Sequence, residues 1–370
     1  MKIRLALGIV IAILTVTATS PNALAESPLA EVLKFVPIEM REPGVFFTNW
    51  AQIKVLIGLE NITSESPFEL RLELMQRTSQ DQAAASAYGM SHFRQHADTW
   101  GWDTTDLDWE ANIISHDMGP AYILKLRKDF EFAPVAERFE ARGFVQTESY
   151  GALIYTHELD LRADWERTTE LSIHTTAYIE EDKLLVLSSY LGAVKALLAT
   201  HAGKLASLSG NPFAVSAVEH LGEPAAASLL FGVGQCLRFT ANPLLDLIGT
   251  IPDEETIAQL KAEFEERELL VPYRVFSVGY HYENDQPIGT IVFEYDAPEL
   301  AEMDLPAREA LAKEGMSESF EAPIAESLFT LLEGQVQDSA VVLRVSPAND
   351  QPRRLFRMVF YFDAPFAGCS

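Results

Sequence analysis

Residues 120–126 of this 370-residue chain read Pro-Ala-Tyr-Ile-Leu-Lys-Leu, and the unit that they begin decides the fold class. Apolar and more polar side chains alternate here, which is typical of a half-buried β-strand. Pro134 then suits the first turn of a helix, and Gly143 suits its C-terminal end. Two more pairs of strand-like runs and a second helix, ending at Gly203, complete the unit. This order predicts a sheet that carries helices on one face.

The rest of the chain continues this mixture of hairpins and helices. Alternating apolar residues predict hairpins over residues 144–156, 172–187 and 274–295 and a last pair of strands over residues 339–345 and 355–362. Few of the runs are arranged as the strand–helix–strand crossovers that produce parallel sheets. We therefore expect an α+β fold with largely antiparallel sheets, helices packed on one face and two packed halves.

Length and composition are those of a folded chain of about two domains. Hydrophobic residues make up 48% of the sequence, which is enough for a substantial core and argues against disorder. A stretch rich in turn-forming residues at 242–252 is the candidate boundary. We predict a signal peptide at residues 1–25, an N-terminal α+β domain at 26–245 and a C-terminal α+β domain at 246–370.

The predicted signal peptide follows the pattern of a cleaved export signal. Lys2 and Arg4 precede an uncharged apolar run, and Ala23-Leu24-Ala25 supplies the small-x-small site that signal peptidase cuts. The alternative is an uncleaved anchor helix, but the apolar run is shorter than the about 20 residues that span a bilayer. We expect an exported protein, periplasmic or extracellular, with no membrane span after cleavage.

The chain is strongly acidic, with 54 Asp and Glu against 28 Lys and Arg and a net charge of −26. Loss of Lys2 and Arg4 with the signal would make this −28. Nucleic-acid binding depends on cations that displace counterions from phosphates, so this composition excludes a nucleic-acid partner. Cationic partners and divalent ions are compatible with it, and so is a simple role in solubility.

The sequence contains two cysteines, Cys236 and Cys369. Outside the cytoplasm an even number of cysteines is typical of disulfide pairing. A bond between these two would pin the C-terminal tail to the middle of the chain, and we predict it as a possible disulfide. The alternative is a buried thiol at Cys236 and an idle thiol at Cys369 in a frayed tail.

A predicted helix over residues 66–100 would place His92 and His96 four residues apart on one face. Two imidazoles at that spacing can hold zinc. Arg94 lies between them and would repel a cation. We interpret both histidines as ordinary residues of a helix surface.

An acidic cluster follows this helix and contains Asp103, Asp106, Asp108 and Glu110. Calcium prefers such oxygen ligands, but the acid spacing and central glycine of an EF-hand loop are absent. We interpret the cluster as a solvated turn and the start of a helix. The sequence therefore predicts no metal and no cofactor.

Three tryptophans, Trp100, Trp102 and Trp109, lie close together in the sequence, and two interpretations are open. Exposed indoles stack on sugars or on a partner surface, whereas buried indoles pack against a sheet. We expect them to be buried.

No catalytic motif is visible: Gly-x-Ser-x-Gly, the phosphate-binding loop and Cys-x-x-Cys are all missing. The histidines at 116, 157, 174 and 220 would form a catalytic site only if the fold gathered them with acids. We expect a non-catalytic binding or envelope-associated protein, with an unknown protein or envelope component as its partner. The alternatives are a hydrolase whose residues converge only in the fold and a divalent-ion-binding protein.

Several apolar and turn-forming segments occur in a familiar order, namely residues 124–130, 183–189, 193–198, 211–213 and 229–231. Together they resemble exported bacterial proteins of a domain family of unknown function. The resemblance covers about residues 45–233. It implies an exported α+β protein and assigns no functional residue.

Overall fold

Twelve strands form one large antiparallel sheet in the computed structural model, which describes residues 27–80, 93–158, 173–232, 236 and 270–369. Ten α-helices lie within the same residues. The α+β class and the largely antiparallel sheet are confirmed. The hairpins predicted over residues 144–156 and 274–295 are present, because their apolar alternation and tight turns act locally.

The strands of the large sheet have the following bounds. They are β1 (Gly44–Thr48), β2 (Leu107–Ile114), β3 (Ala121–Leu126), β4 (Val145–Ser149), β5 (Ala152–Thr156), β6 (Thr175–Ile179), β7 (Leu184–Ser188), β8 (Ala226–Phe231), β9 (Val275–Glu283), β10 (Gln286–Glu294), β13 (Phe329–Gln337) and β14 (Ala340–Pro347). A separate two-stranded sheet contains β11 (Met316–Ser317) and β12 (Ala322–Pro323).

The helices alternate with these strands. They are α1 (Pro28–Leu33), α2 (Trp50–Leu56), α3 (Phe68–Arg77), α4 (Phe93–Trp100), α5 (Ala133–Ala141), α6 (Leu191–His201), α7 (Pro212–Leu221), α8 (Pro298–Glu314), α9 (Ile324–Ser327) and α10 (Arg353–Phe360). The side chains of Asn49 and Asn211 accept backbone N–H groups at the starts of α2 and α7, which is the usual role of asparagine just before a helix.

The strand order is β13-β14-β10-β9-β8-β1-β2-β3-β7-β6-β5-β4. β8 pairs with both β1 and β9, so the sheet is continuous from the N-terminal to the C-terminal part of the chain. The predicted boundary at 245/246 lies outside the described residues, and the division into two domains stays a prediction.

Helices cover both faces of the sheet, where the sequence predicted one. The first face packs against α1, α6 and α7 in a single apolar core. The second face carries two separate cores, an N-terminal core beneath α3, α4 and α5 and a C-terminal core beneath α8, α9 and α10. β6, β7 and β8 are buried at every position, so their side chains need a cover on each face.

Residues 355–362, predicted as a strand, form most of α10 instead. Leu355, Phe356, Met358 and Val359 are buried, and this spacing of one, three and four residues is helical. β14 pairs with β10 on one side and on the other with β13, which the sequence did not predict. A register shift between Leu331 and Glu333 breaks the alternation in β13 that would have revealed it.

None of the helices in the described part of the chain has the length and apolar composition that crossing a membrane requires.

Candidate functional site

A pocket of about 220 Å³ opens on the second face of the sheet, where β8, β1 and β2 lie side by side and α10 approaches them. In the strand register Gly44 lies opposite both Ile114 and Leu230, so these three positions form the floor. The residues that line the pocket are Glu42, Gly44, Phe46, Ile114, Ser115, His116, Leu230, Val359, Phe360 and Phe362.

Gly44 keeps the floor of this pocket open. A Cβ atom at this position would lie 3.2 Å from a ring carbon of Phe46 and 3.3 Å from Cδ2 of Leu230. Both separations are tighter than ordinary apolar contact, so a larger residue would push into the space. The ring of Phe46 in turn meets that of Phe360 at a centroid distance of 5.7 Å, which closes one side.

The wall on the α10 side depends on an unusual helix ending. The N–H of Asp363 donates to the carbonyl of Met358 at 2.8 Å and that of Phe362 to Val359 at 3.4 Å, which is the Schellman pattern. The residue in the left-handed region is normally glycine, but here it is Phe362, with φ of 51°. This backbone conformation costs about 1–2 kcal/mol for a residue with a Cβ. The aromatic side chain lines the pocket in return.

A second residue of the lining, Glu42, also has a left-handed backbone, with φ of 46°. Residues held in such conformations are found preferentially at functional sites. Ile114 and Phe360 are 40% and 48% exposed, so two large apolar side chains of the lining reach the surface. The pocket is therefore apolar inside, with Glu42, Ser115 and His116 as its polar members.

The four histidines considered for the hydrolase alternative are not gathered in this pocket. His116 lines it, whereas His157 and His174 lie together at the ends of β5 and β6 with ring centroids 5.6 Å apart. His220 lies on α7, against the first face. No group of three or more His, Cys, Asp or Glu within the described ranges is arranged to hold a metal ion.

The two histidines of the zinc hypothesis have different outcomes. His92 lies outside the described residues. His96 is fully buried, with its ring edge-to-face against Trp102 at 4.3 Å, so its interpretation as a surface residue is wrong. The three tryptophans at 100, 102 and 109 are buried, as predicted.

The acidic cluster is buried as well, so its interpretation as a solvated turn before a helix is wrong. Asp103 and Asp106 are fully buried and cap each other's backbone in a short 3₁₀ turn, after which β2 begins at Leu107. Sequence reasoning missed this because the cations that neutralise the two carboxylates come from distant parts of the chain. Asp108, in contrast, is only half-buried, and burial raises the pKa of its carboxyl.

We call the buried ionic contacts of this turn the Asp103–Asp106 network. Arg71 Nη1 donates to Asp103 Oδ2 at 2.5 Å, and Arg127 Nε donates to Asp106 Oδ1 at 3.2 Å. Lys54 Nζ donates to the carbonyls of Thr105 and Leu107 at 3.0 and 2.9 Å. Donors and cations already surround these oxygens, so the network is structural rather than a calcium site.

The predicted disulfide between Cys236 and Cys369 is present, with Cα atoms 5.3 Å apart and both residues buried in the C-terminal core. The alternative of a frayed tail with an idle thiol is wrong. The carbonyls of Phe366 and Gly368 accept from Arg308 Nη1 at 2.5 and 2.9 Å, so the tail is held on both sides of its last turn.

Arg308 is the centre of what we call the Arg308 network. It is fully buried on α8, and its Nε donates to Asp304 at 2.6 Å and to the hydroxyl of Tyr295 at 3.1 Å. Its Nη2 donates to the carbonyl of Val271 at 2.8 Å, and its guanidinium lies 4.4 Å from the ring centre of Phe293. The sequence signal for it was available, since Asp304 and Arg308 are four residues apart on one helix face.

Comparisons with known proteins do not identify the chain. No family model matches it, and no curated protein matches it. Among solved structures it is similar to crystal forms I, III and IV of TP0453, with TM-scores of 0.38, 0.37 and 0.36 and 9% sequence identity. The first match covers 90% of this chain and 97% of the other, and the two others cover 88% of this chain and 96% and 95% of theirs. A likeness of this size carries no argument about fold or function.

Proposed function

We propose that the chain is an exported, non-catalytic binding protein that accepts one apolar side chain of a partner polypeptide in the pocket between β8, β1, β2 and α10. The observation that carries this proposal is the pocket itself, an apolar recess with a glycine floor and exposed apolar residues at its mouth. His116 is the one histidine that lines it, which favours binding over hydrolysis.

The size of the pocket determines the kind of occupant. Pockets for drug-sized ligands enclose roughly 300–1,000 Å³, whereas a buried apolar cavity of about 150 Å³ accepts benzene. A pocket of about 220 Å³ therefore suits a single aromatic or branched aliphatic group. Interfaces between proteins commonly depend on such an anchor, an aromatic side chain seated in a desolvated pocket.

Charge indicates what should flank this anchor. The chain carries a net charge of −26, and the charged residue that lines the pocket is Glu42. Complementary charge speeds encounter and excludes like-charged partners. We therefore propose a partner segment with Lys or Arg on either side of its apolar residue, presented by an exported or envelope protein.

Two short peptides test the proposal, one with a central phenylalanine between lysine pairs and one with serine in its place. We expect the phenylalanine peptide, and not the serine peptide, to shift the methyl NMR signals of Ile114, Leu230 and Val359. Burying one aromatic side chain is worth about 1.5–3 kcal/mol, so binding should be weak, about millimolar or weaker.

A matched pair of variants gives the control. Ile114→Trp fills the pocket and should abolish the shifts, whereas Val145→Trp, at a residue 62% exposed on the edge strand β4, should retain them. Equal binding by the two variants, or equal shifts with the two peptides, would show that the pocket is not the site.

A further inference from the structure

Glu294, the last residue of β10, has a buried carboxyl group that no donor holds with a hydrogen bond of ordinary geometry. Its side chain is 1% exposed, and within the described ranges neither oxygen has a hydrogen-bond partner. An ionised carboxylate without donors is strongly disfavoured away from water, and the group takes up a proton instead. Burial accordingly raises the pKa of Glu294 to about 7.

His220, on the last turn of α7, faces this carboxyl group. Its Nε2 is 3.8 Å from Oε1 of Glu294, and its Nδ1 is 3.1 Å from Oε1 of Gln337. An amide oxygen only accepts, so Nδ1 carries a hydrogen, and the neutral ring then turns the lone pair of Nε2 toward Glu294. Two acceptors that face each other repel unless a proton lies between them.

The remaining charges around Glu294 do not neutralise it. Glu219 on α7 and Asp338 in the β13–β14 turn both raise the pKa of its carboxyl. Arg274, the residue before β9, donates its backbone N–H to the Glu294 carbonyl at 2.7 Å, but its guanidinium pairs with Asp296 at 2.7 Å. The side chain of Ser216, one turn before His220, lies near the carboxyl and partly offsets the increase in its pKa.

We propose that Glu294 and His220 hold one proton between them at neutral pH, and that this proton fastens α7 and the β13–β14 turn to the first face of the sheet. With the proton, Glu294 and His220 form a hydrogen bond that joins β10 to α7. Gln337 contacts the same imidazole and so joins the β13–β14 turn to it. Without the proton, a buried negative charge faces Glu219, Asp338 and a lone pair. The contact of α7 and the β13–β14 turn with β10 is then a pH-sensitive element of the fold. It is independent of the pocket on the second face.

The direction of the pH effect follows from the two pKa shifts. The pKa of Glu294 is raised from 4.5, so its contribution to stability is full below about pH 4.5 and is lost as the pH rises through about 7. Burial lowers the pKa of His220 from 6.5, so that group contributes stability above this value and loses it as the pH falls. Loosening as the pH rises toward about 7 therefore comes from Glu294.

Hydrogen exchange of the intact chain between about pH 6 and about pH 8.5 tests this. As the pH rises from about 6 to about 7 we expect exchange in the last turn of α7 and in the β13–β14 turn to increase by up to about tenfold beyond the intrinsic rate, which is the limit for one proton, and to level off once Glu294 is ionised. Glu294→Gln keeps a donor toward His220 and should remove this rise. Glu148→Gln, an exposed acid on β4, removes the same charge and should leave the rise unchanged.

Infrared spectroscopy supplies a readout that needs no variant to fold. The wild-type protein at about pH 6 should show the carbonyl band of a buried protonated carboxylic acid, lost by about pH 8.5. The band should be missing in Glu294→Gln and present in Glu148→Gln. Exchange in the last turn of α7 and the β13–β14 turn that, relative to the intrinsic rate, is equal at about pH 6 and about pH 8.5 would overturn the proposal. The absence of the band from wild-type protein at about pH 6 would also overturn it.

Discussion

The Arg308 network and the Asp103–Asp106 network both contain arginine–carboxylate pairs, but they are organised around opposite charges. Arg308 has one carboxylate, that of Asp304, and satisfies its other nitrogens with carbonyls and a tyrosine hydroxyl. In the Asp103–Asp106 network two carboxylates pair with Arg71 and Arg127, and the ammonium of Lys54 donates to backbone carbonyls of the same turn. One network is built around a cation and the other around two anions.

The two networks also differ in the part of the chain that each one holds in place. Arg308 donates to the carbonyls of Phe366 and Gly368, residues 58 and 60 positions away, and so fastens the chain end to the C-terminal core. Asp103 and Asp106 chiefly satisfy the backbone of their own turn and set the start of β2. Burial raises the pKa of Asp103 in spite of Arg71, so its charge is incompletely compensated.

The largest effect is expected for Arg308→Met. It leaves Asp304 buried without its cation and removes the donors to three carbonyls. Breaking a buried pair in this way costs about 3–5 kcal/mol. Urea unfolding followed by circular dichroism measures it, with the exposed Arg353→Met as the control, expected to change stability by less than about 0.5 kcal/mol. Equal midpoints for the two variants would show that the network does not hold the tail.

A slightly smaller effect is expected from the disulfide, which joins cysteines 133 residues apart. Reducing it, or replacing Cys369 with serine, should lower the free energy of unfolding by about 2–4 kcal/mol. Because Arg308 holds the same tail, the combined loss with Arg308→Met should differ from the sum of the single losses. Thiol titration of the unfolded, unreduced chain checks the bond itself: two reactive thiols would contradict it.

The smallest effect is expected for Asp103→Asn, at about 1–2 kcal/mol, because the amide keeps an acceptor for Arg71 and for the Thr105 N–H. The pKa of Asp103 is raised, so the wild-type carboxyl contributes most at acid pH and loses that contribution as the pH rises. The difference from wild type should therefore be larger near about pH 4 than near about pH 7. Urea midpoints at the two pH values measure it, and the opposite order would mean that Arg71 fully compensates the charge.

The pocket illustrates how far sequence reasoning reaches. The sequence did not predict which strands lie beside Gly44 and Phe46, and the α10 wall was predicted as a strand. Gly44, Ile114, Leu230 and Val359 lie far apart in the chain and meet because β1 is inserted between β8 and β2. A pairing of this kind depends on long-range packing, which local periodicity does not encode.

By itself the sequence determined the α+β class, the hairpins, the helix caps at Asn49 and Asn211 and a possible Cys236–Cys369 bond, because each depends on neighbours in the chain or on simple pairing. Only the tertiary structure decided that Asp103, Asp106 and His96 are buried rather than solvated. The side chains that cover or neutralise them, Arg71, Arg127 and Trp102, are brought in by packing, and a charge pattern alone does not show which charges will share a low-dielectric interior.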